Sequence, residues 1–162
     1  MMGVGEFLGL SPIGPELADL ELGILNSDIY FNKVCKGKEL LTVKDVEEDR
    51  RESDGLGTER FFLRDGGKVV GILDYLLHNP GDGYPWLGLL LIAKEMQGHG
   101  YGLKALATFE QILRNNRLNK YRIGVVAGNK PAERFWHKRG FVKVKSVQQE
   151  TRVVDVYEKQ IG

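Results

Sequence analysis

Residues 86–102 read Trp86-Leu-Gly-Leu-Leu-Leu-Ile92-Ala-Lys-Glu-Met96-Gln97-Gly98-His99-Gly100-Tyr101-Gly102, and a helical pattern follows to Asn115 and Asn116. The apolar run from Leu87 to Ile92 is too short to cross a bilayer and suits a buried strand. Gly98, Gly100 and Gly102 allow a tight turn and bring backbone N–H groups close to a ligand. Beyond the turn, Ala105, Leu106, Phe109, Ile112 and Leu113 trace one apolar helical face. The start of that helix adds unpaired N–H groups and the positive end of its dipole. Strand, glycine turn and helix start together make an anion site, with phosphate the usual guest.

Three phosphate ligands compete for this turn. A dinucleotide fingerprint needs G-x-G-x-x-G in the first strand–helix unit, whereas the spacing here is G-x-G-x-G and lies past mid-chain. A Walker loop ends in Gly-Lys-Ser/Thr, whereas Leu103 follows Gly102. The pattern Q/R-x-x-G-x-G/A is filled by Gln97, Gly100 and Gly102. That hexad resembles the acetyl-CoA pyrophosphate loop of the GNAT superfamily of N-acetyltransferases. A glycine-rich loop shaped only to join strand to helix is the remaining alternative.

The 162 residues suit one domain with a full core, and we expect residues 1–162 to form a single unit. Hydrophobic residues make up 42% and charged residues 28%, the balance of a soluble globular chain. With 23 basic and 22 acidic residues, bulk charge gives no reason to expect nucleic acid or membrane as a partner. The lone Cys35 excludes an intrachain disulfide and fits a reducing compartment. No neighbouring His marks Cys35 as a nucleophile. No secretory leader and no membrane span is read, so the expected location is the cytoplasm. A homodimer is left open.

Taken in order, Phe7–Leu10 reads as a short edge strand and Glu16–Leu25 as a helix behind Pro15. Residues 29–41 are ambiguous, with Gly37 in a loop. Thr42 and Asp45 look like the cap of a helix reaching Ser53. Its charge run, Glu47 to Glu52, reads as a solvated face or as an acidic wall that attracts an amine. Asp54–Gly57 reads as a loop. Glu59–Arg64, Lys68–His78 and Trp86–Ile92 then form a meander through turns at Asp65–Gly67 and Asn79–Gly83. Tyr121–Val126 should run parallel to the Leu87–Ile92 strand, because a whole helix joins them. A short helix from Pro131 to Gly140 follows. Phe141–Val147 and Arg152–Tyr157 read as a terminal hairpin. The fold class is α/β (α+β): a mixed, mostly antiparallel sheet with flanking helices.

The segment Asn129-Lys-Pro-Ala132-Glu-Arg-Phe135-Trp136-His-Lys138-Arg-Gly140-Phe141 resembles a second GNAT signature, N-x-x-A-x-x-F-Y-x-K-x-G-F. Asn129, Ala132, Phe135, Lys138, Gly140 and Phe141 match it. The two motifs lie in the family's order, one helix and one strand apart. The resemblance covers about residues 59–147. It implies that the parallel strands splay apart and admit the pantetheine arm of acetyl-CoA, the cosubstrate; no metal is expected. Backbone groups of Ile92, Ala93 and Lys94 would line the arm. The N–H groups of Gln97, Gly98, His99, Gly100, Tyr101 and Gly102 would hold the pyrophosphate. Asn129 would contact pantetheine, and Phe135 and Trp136 would lie near the cofactor. Each has a plainer role to weigh: Asn129 is a natural helix cap, and Phe135 a natural core residue.

The implied reaction is attack by a primary amine, of a small molecule or a peptide, on the thioester. It needs a base for the ammonium, a donor for the oxyanion and a leaving thiolate. The Ile92 N–H is the expected oxyanion donor. The tyrosine that serves many relatives as acid falls at Trp136, whose indole N–H does not titrate. The glutamate of some relatives' central strand falls at Trp86. Base candidates are Asp74, His78 and Glu95, with Asp74 preferred; its alternative is a solvent-facing position on an alternating strand. Tyr75, Tyr84 and Trp86 suggest an aromatic acceptor site, or simply aromatic packing. The rival reading is a non-catalytic acyl-CoA-binding sensor or regulatory module.

Overall fold

The computed structural model describes residues 7–162, so the reading of the extreme N-terminus as lacking a leader falls partly on residues 1–6, outside the described part. The elements are β1 (Gly9–Pro12), α1 (Ala18–Leu25), α2 (Ile29–Lys36), α3 (Val43–Leu56), β2 (Glu59–Asp65), β3 (Lys68–Leu76), β4 (Trp86–Ile92), α4 (Tyr101–Asn115), β5 (Lys120–Val126), α5 (Lys130–Lys138), β6 (Val142–Gln149) and β7 (Arg152–Gln160). They build a seven-stranded sheet of order β1-β2-β3-β4-β5-β7-β6. All neighbours are antiparallel except β4 and β5. The terminal hairpin therefore enters with β7 inside and β6 at the edge.

Alternation along each strand splits the core into two layers. Leu63, Val70, Leu73 and Tyr75 pack with Ala105, Leu106, Phe109 and Leu113 of α4 and with Tyr121 and Phe141. Phe62, Ile72 and Leu91 face the other way, against Ile24, Leu25 and Val46 of α1 and α3. Edge-to-face contacts run from Phe109 through Tyr121 to Phe141, with centroids 5.0 and 5.2 Å apart. The Tyr121 hydroxyl donates to Glu110 at 2.8 Å, which satisfies a phenol that is otherwise fully buried.

Several boundaries differ from expectation for local reasons. The first strand is Gly9–Pro12 rather than Phe7–Leu10; Pro12 is tolerated because β1 is an edge. The first helix opens as a 3-10 turn at Pro15–Leu17 before the α1 pattern sets in. The ambiguous 29–41 contains α2, capped at its start by Asp28 and stopped by Gly37 in the left-handed region. α3 runs to Leu56, through the expected Asp54–Gly57 loop, because the left-handed Gly57 (φ 81°) is its stop. β3 ends at Leu76 and β7 reaches Gln160.

The cap at Thr42 and Asp45 forms as a full capping box. The hydrogen bond from Lys38, with the Thr42 N–H, lowers the Asp45 carboxyl to about 2. A depressed acid stabilises the fold above its unfolded pKa, roughly 4, and that contribution fades as pH falls towards about 2. We expect Thr42→Ala to cost about 1 kcal/mol in denaturant unfolding, and the Asp45 share to vanish across that acid window. An unchanged unfolding midpoint would show the box to be idle.

Candidate active site

The site begins with a fault in the sheet. β4 and β5 register only at Trp86 and Arg122, where the Arg122 N–H donates to the Pro85 carbonyl at 2.9 Å. Beyond that point the strands part. The register of β3 on β4 steps between Asp74 and Tyr75, which leaves Gly88 as an extra residue in β4. Downstream of this bulge the Ala93 N–H donates to Val70 at 2.9 Å, so Leu91 and Ala93 spend their backbone groups on β3. Leu90 and Ile92 then direct theirs to the opened side. The Ile92 carbonyl accepts from Gln97 Nε2 at 3.0 Å, and its N–H faces the gap. A cleft of about 1130 Å³ occupies this opening, lined from Asp74 and Trp86 to Asn129 and Phe135.

At one end of the cleft lies the glycine turn. Gly98 (φ 82°) and Gly100 (φ 81°) hold left-handed backbone that a side chain would strain. Gly100 caps α4 without any side-chain bond, so the first-turn N–H groups of the helix stay open to a ligand. Gly102 is needed for space, since a Cβ there would lie 3.2 Å from Cζ of Phe135. Gln97, Gly98, Gly100, Tyr101 and Gly102 line the cleft; the exposed His99 does not, and its Nδ1 sits 3.0 Å from the Gln97 carbonyl. The Tyr101 hydroxyl donates to Asp65 at 2.7 Å. Neither Ala93, which is buried, nor Lys94 lines the cleft, and the Lys94 N–H donates to Ser27 Oγ at 3.0 Å. Across the gap, buried Asn129 caps α5 through its Oδ1, 3.4 Å from the Ala132 N–H. Phe135 and Trp136 meet edge to face at 4.9 Å and complete this wall.

The other end is built by α1–α3 and the neighbouring strands. Asp74 is buried, 4% exposed, and its Oδ2 accepts from Nη2 of Arg60 at 2.8 Å and from Nε at 3.1 Å. The expected alternative of a solvent-facing Asp74 is thus replaced by a buried ion pair that lines the cleft. Arg60 also donates to Glu21 at 2.6 Å and to Asp49 at 2.7 Å. Arg50 donates to Glu21 at 3.1 Å. Burial pushes the Asp74 carboxyl above the ordinary carboxylate range, and the Arg60 guanidinium pulls it back. The charge run on α3 is therefore not uniformly solvated: Asp49 and Arg50 turn inward. Asp45, Glu48 and Glu52 line the cleft, and Glu48 and Glu52 form no ion pair among the described residues.

Glu95 is exposed on a 3-10 turn and His78 lies in the bend after β3; neither lines the cleft. Of the aromatic trio only Trp86 does, its indole N–H donating to Asp82 at 2.9 Å. Tyr75 belongs to the α4 core, and Tyr84 stacks under Arg122 at 3.8 Å. Cys35 lines the cleft, but burial pushes its thiol up, away from the thiolate a nucleophile needs.

Four features escaped the sequence reading: Arg60, Glu21, the Gly88 bulge, and the junction of α1 with α2. At that junction Asp28 accepts from Gln97 Nε2 at 3.0 Å, while Ser27 takes the Lys94 N–H. No local spacing signals these contacts. They join residues that lie 67 and 69 positions apart.

Residues 29–141 match the Acetyltransferase (GNAT) family. No curated protein matches the sequence. Among solved structures, an acetyltransferase from Thermus thermophilus is 30% identical, with 96% of this chain and 97% of that one covered and a TM-score of 0.76. The Salmonella typhimurium acetyl transferase that modifies the N-terminal serine of ribosomal protein L7/L12 shares the fold at 11% identity, TM-score 0.76, with 96% of each chain covered. RimL, a ribosomal L7/L12 alpha-N-protein acetyltransferase solved with coenzyme A, does so at 15% identity, TM-score 0.68, over 98% of this chain and 97% of its own. With both signature segments at the mouth of one parted strand pair, the matched residues and the splayed sheet agree: the chain belongs to the GNAT acetyltransferase family.

Proposed function

We propose that this chain, acting as one unit over residues 1–162, moves an acetyl group from acetyl-CoA to a primary amine by direct attack in a ternary complex. The observation that carries the reading is the gap between β4 and β5, which opens at once on the bare N-terminus of α4 and on a buried carboxylate. Main-chain N–H groups of residues 97–102 take the diphosphate, and the pantetheine arm runs past Ile92 and Asn129. Asp74 accepts the proton of the incoming ammonium. The amine nitrogen then bonds to the thioester carbon, the oxyanion rests on the Ile92 N–H, and the C–S bond breaks. The thiolate leaves without a protein acid, because a thiol of pKa about 8.5 is a tolerable leaving group. The second proton of the amine nitrogen passes to it directly or through water, which leaves the amide and the free thiol of coenzyme A. The raised thiol pKa of Cys35 speaks for direct transfer rather than for an acyl-cysteine. Glu48 and Glu52 give the acceptor mouth a negative lip, suited to a cationic amine. Among the described residues no helix is long and apolar enough to cross a membrane, and we place the reaction in the cytoplasm.

Incubation with acetyl-CoA and a panel of small amines and peptide N-termini, while free thiol is followed, tests this. Amine-dependent thiol release is expected. Tight coenzyme binding with no release from any amine would replace the enzyme by an acyl-CoA sensor.

A further inference from the structure

The way Arg60 holds Asp74 is unusual for a plain structural ion pair. A guanidinium fork ordinarily meets both oxygens of a carboxylate. Here Nε and Nη2 both reach the same oxygen, Oδ2, at 3.1 and 2.8 Å. Oδ1 accepts no hydrogen bond among the described residues, although Asp74 is only 4% exposed. Oδ1 nevertheless keeps contact with the space of the cleft rather than being sealed in protein, so an approaching group can reach it. Room for Oδ1 comes from the bulge in β4: a Cβ on Gly88 would stand 2.4 Å from it. Three adjacent strands thus converge to leave one carboxylate oxygen empty-handed on the cleft. The remaining arms of the guanidinium are tied to Glu21 at 2.6 Å and Asp49 at 2.7 Å, so it cannot swing to cover Oδ1.

We propose that Arg60 is a positioning residue for acetyl transfer: it anchors Asp74 by Oδ2 and thereby presents Oδ1 to the amine beside the parted strands. This rests on the reading of Asp74 as the proton acceptor. The charged groups that act on Asp74 are Arg60 from β2, Asp49 from α3 and Lys36 from α2; Glu21 of α1 bonds Arg60 and Arg50 of α3 bonds Glu21 behind them, and β4 presents Gly88. Arg60 and Lys36 favour the ionised carboxylate and Asp49 disfavours it.

The test uses the full chain, acetyl-CoA and an amine that the wild type acetylates, with kcat, KM for acetyl-CoA and the pH profile measured. Arg60→Lys keeps a cation but loses the fork. Its kcat is expected to fall tenfold or more near neutral pH with KM for acetyl-CoA unchanged, and its acidic limb to move up by about one pH unit. Asp49→Asn removes a repelling charge, so its acidic limb is expected to move down. A staple that served folding alone would lower melting temperatures and leave both limbs in place, which would overturn the proposal. Full activity in Asp74→Asn would instead overturn the reading of Asp74 itself. Should Arg60→Lys fail to fold, Asp49→Asn decides, and a carboxyl-carbon NMR titration of Asp74 reads the same shift without turnover.

Discussion

Replacing Gly102 with valine is expected to weaken coenzyme A binding about a hundredfold or more, a loss of roughly 2.7 kcal/mol in calorimetry. Two effects add. The new Cβ would stand 3.2 and 3.3 Å from Cζ and Cε1 of Phe135, which is held by Trp136 and stacked against Arg139. The two methyl groups would then project over the first turn of α4, where the proposed diphosphate would have to come within hydrogen-bond distance of bare N–H groups. The fold should survive, because valine is no worse than glycine in a helix. A folded variant that still bound coenzyme A like the wild type would remove the diphosphate from this turn. Gly100→Ala makes a graded companion: its φ of 81° would cost about 1–2 kcal/mol of strain.

Asp74→Asn should show the opposite pattern. Coenzyme A affinity is expected to stay at the wild-type value, while kcat falls about 10²- to 10⁴-fold, the usual worth of a positioned base. An asparagine oxygen can still accept from Arg60, so the network beneath the cleft keeps most of its bonds. In the wild type, burial raises the Asp74 carboxyl against the pull of Arg60. The rate should therefore fall as pH drops through that raised value, and the variant's remaining rate should lack this limb. An unchanged kcat would make Asp74 a member of the ion network and nothing more.

The local geometry of the proposed cofactor end could be read from the order of residues alone. Gln97 to Gly102 is a contiguous turn, and Asn129 to Phe141 is a contiguous cap, helix and stop; spacing along the chain already is their geometry, since a strand–turn–helix unit is local. The parallel order of β4 and β5 was legible for the same reason, as the intervening helix carries the chain back to the end of the sheet from which β4 set out. The acceptor end needed the folded chain. Counting outward from the Gly66–Gly67 turn sets Arg60 opposite Leu73, on the wrong face. The register step between Leu63 and Arg64 leaves Val70 unpaired and moves Arg60 opposite Asp74 instead. A second step at Gly88 opens the room in front of that carboxylate. Each slip of one residue exchanges the two faces of a strand, and no composition or motif announces it here. Glu21, from a helix far away in the chain, then completes a charge cluster that exists only once α1, α3 and the sheet have packed. Contacts of that kind depend on summed register and packing, which a linear string does not carry.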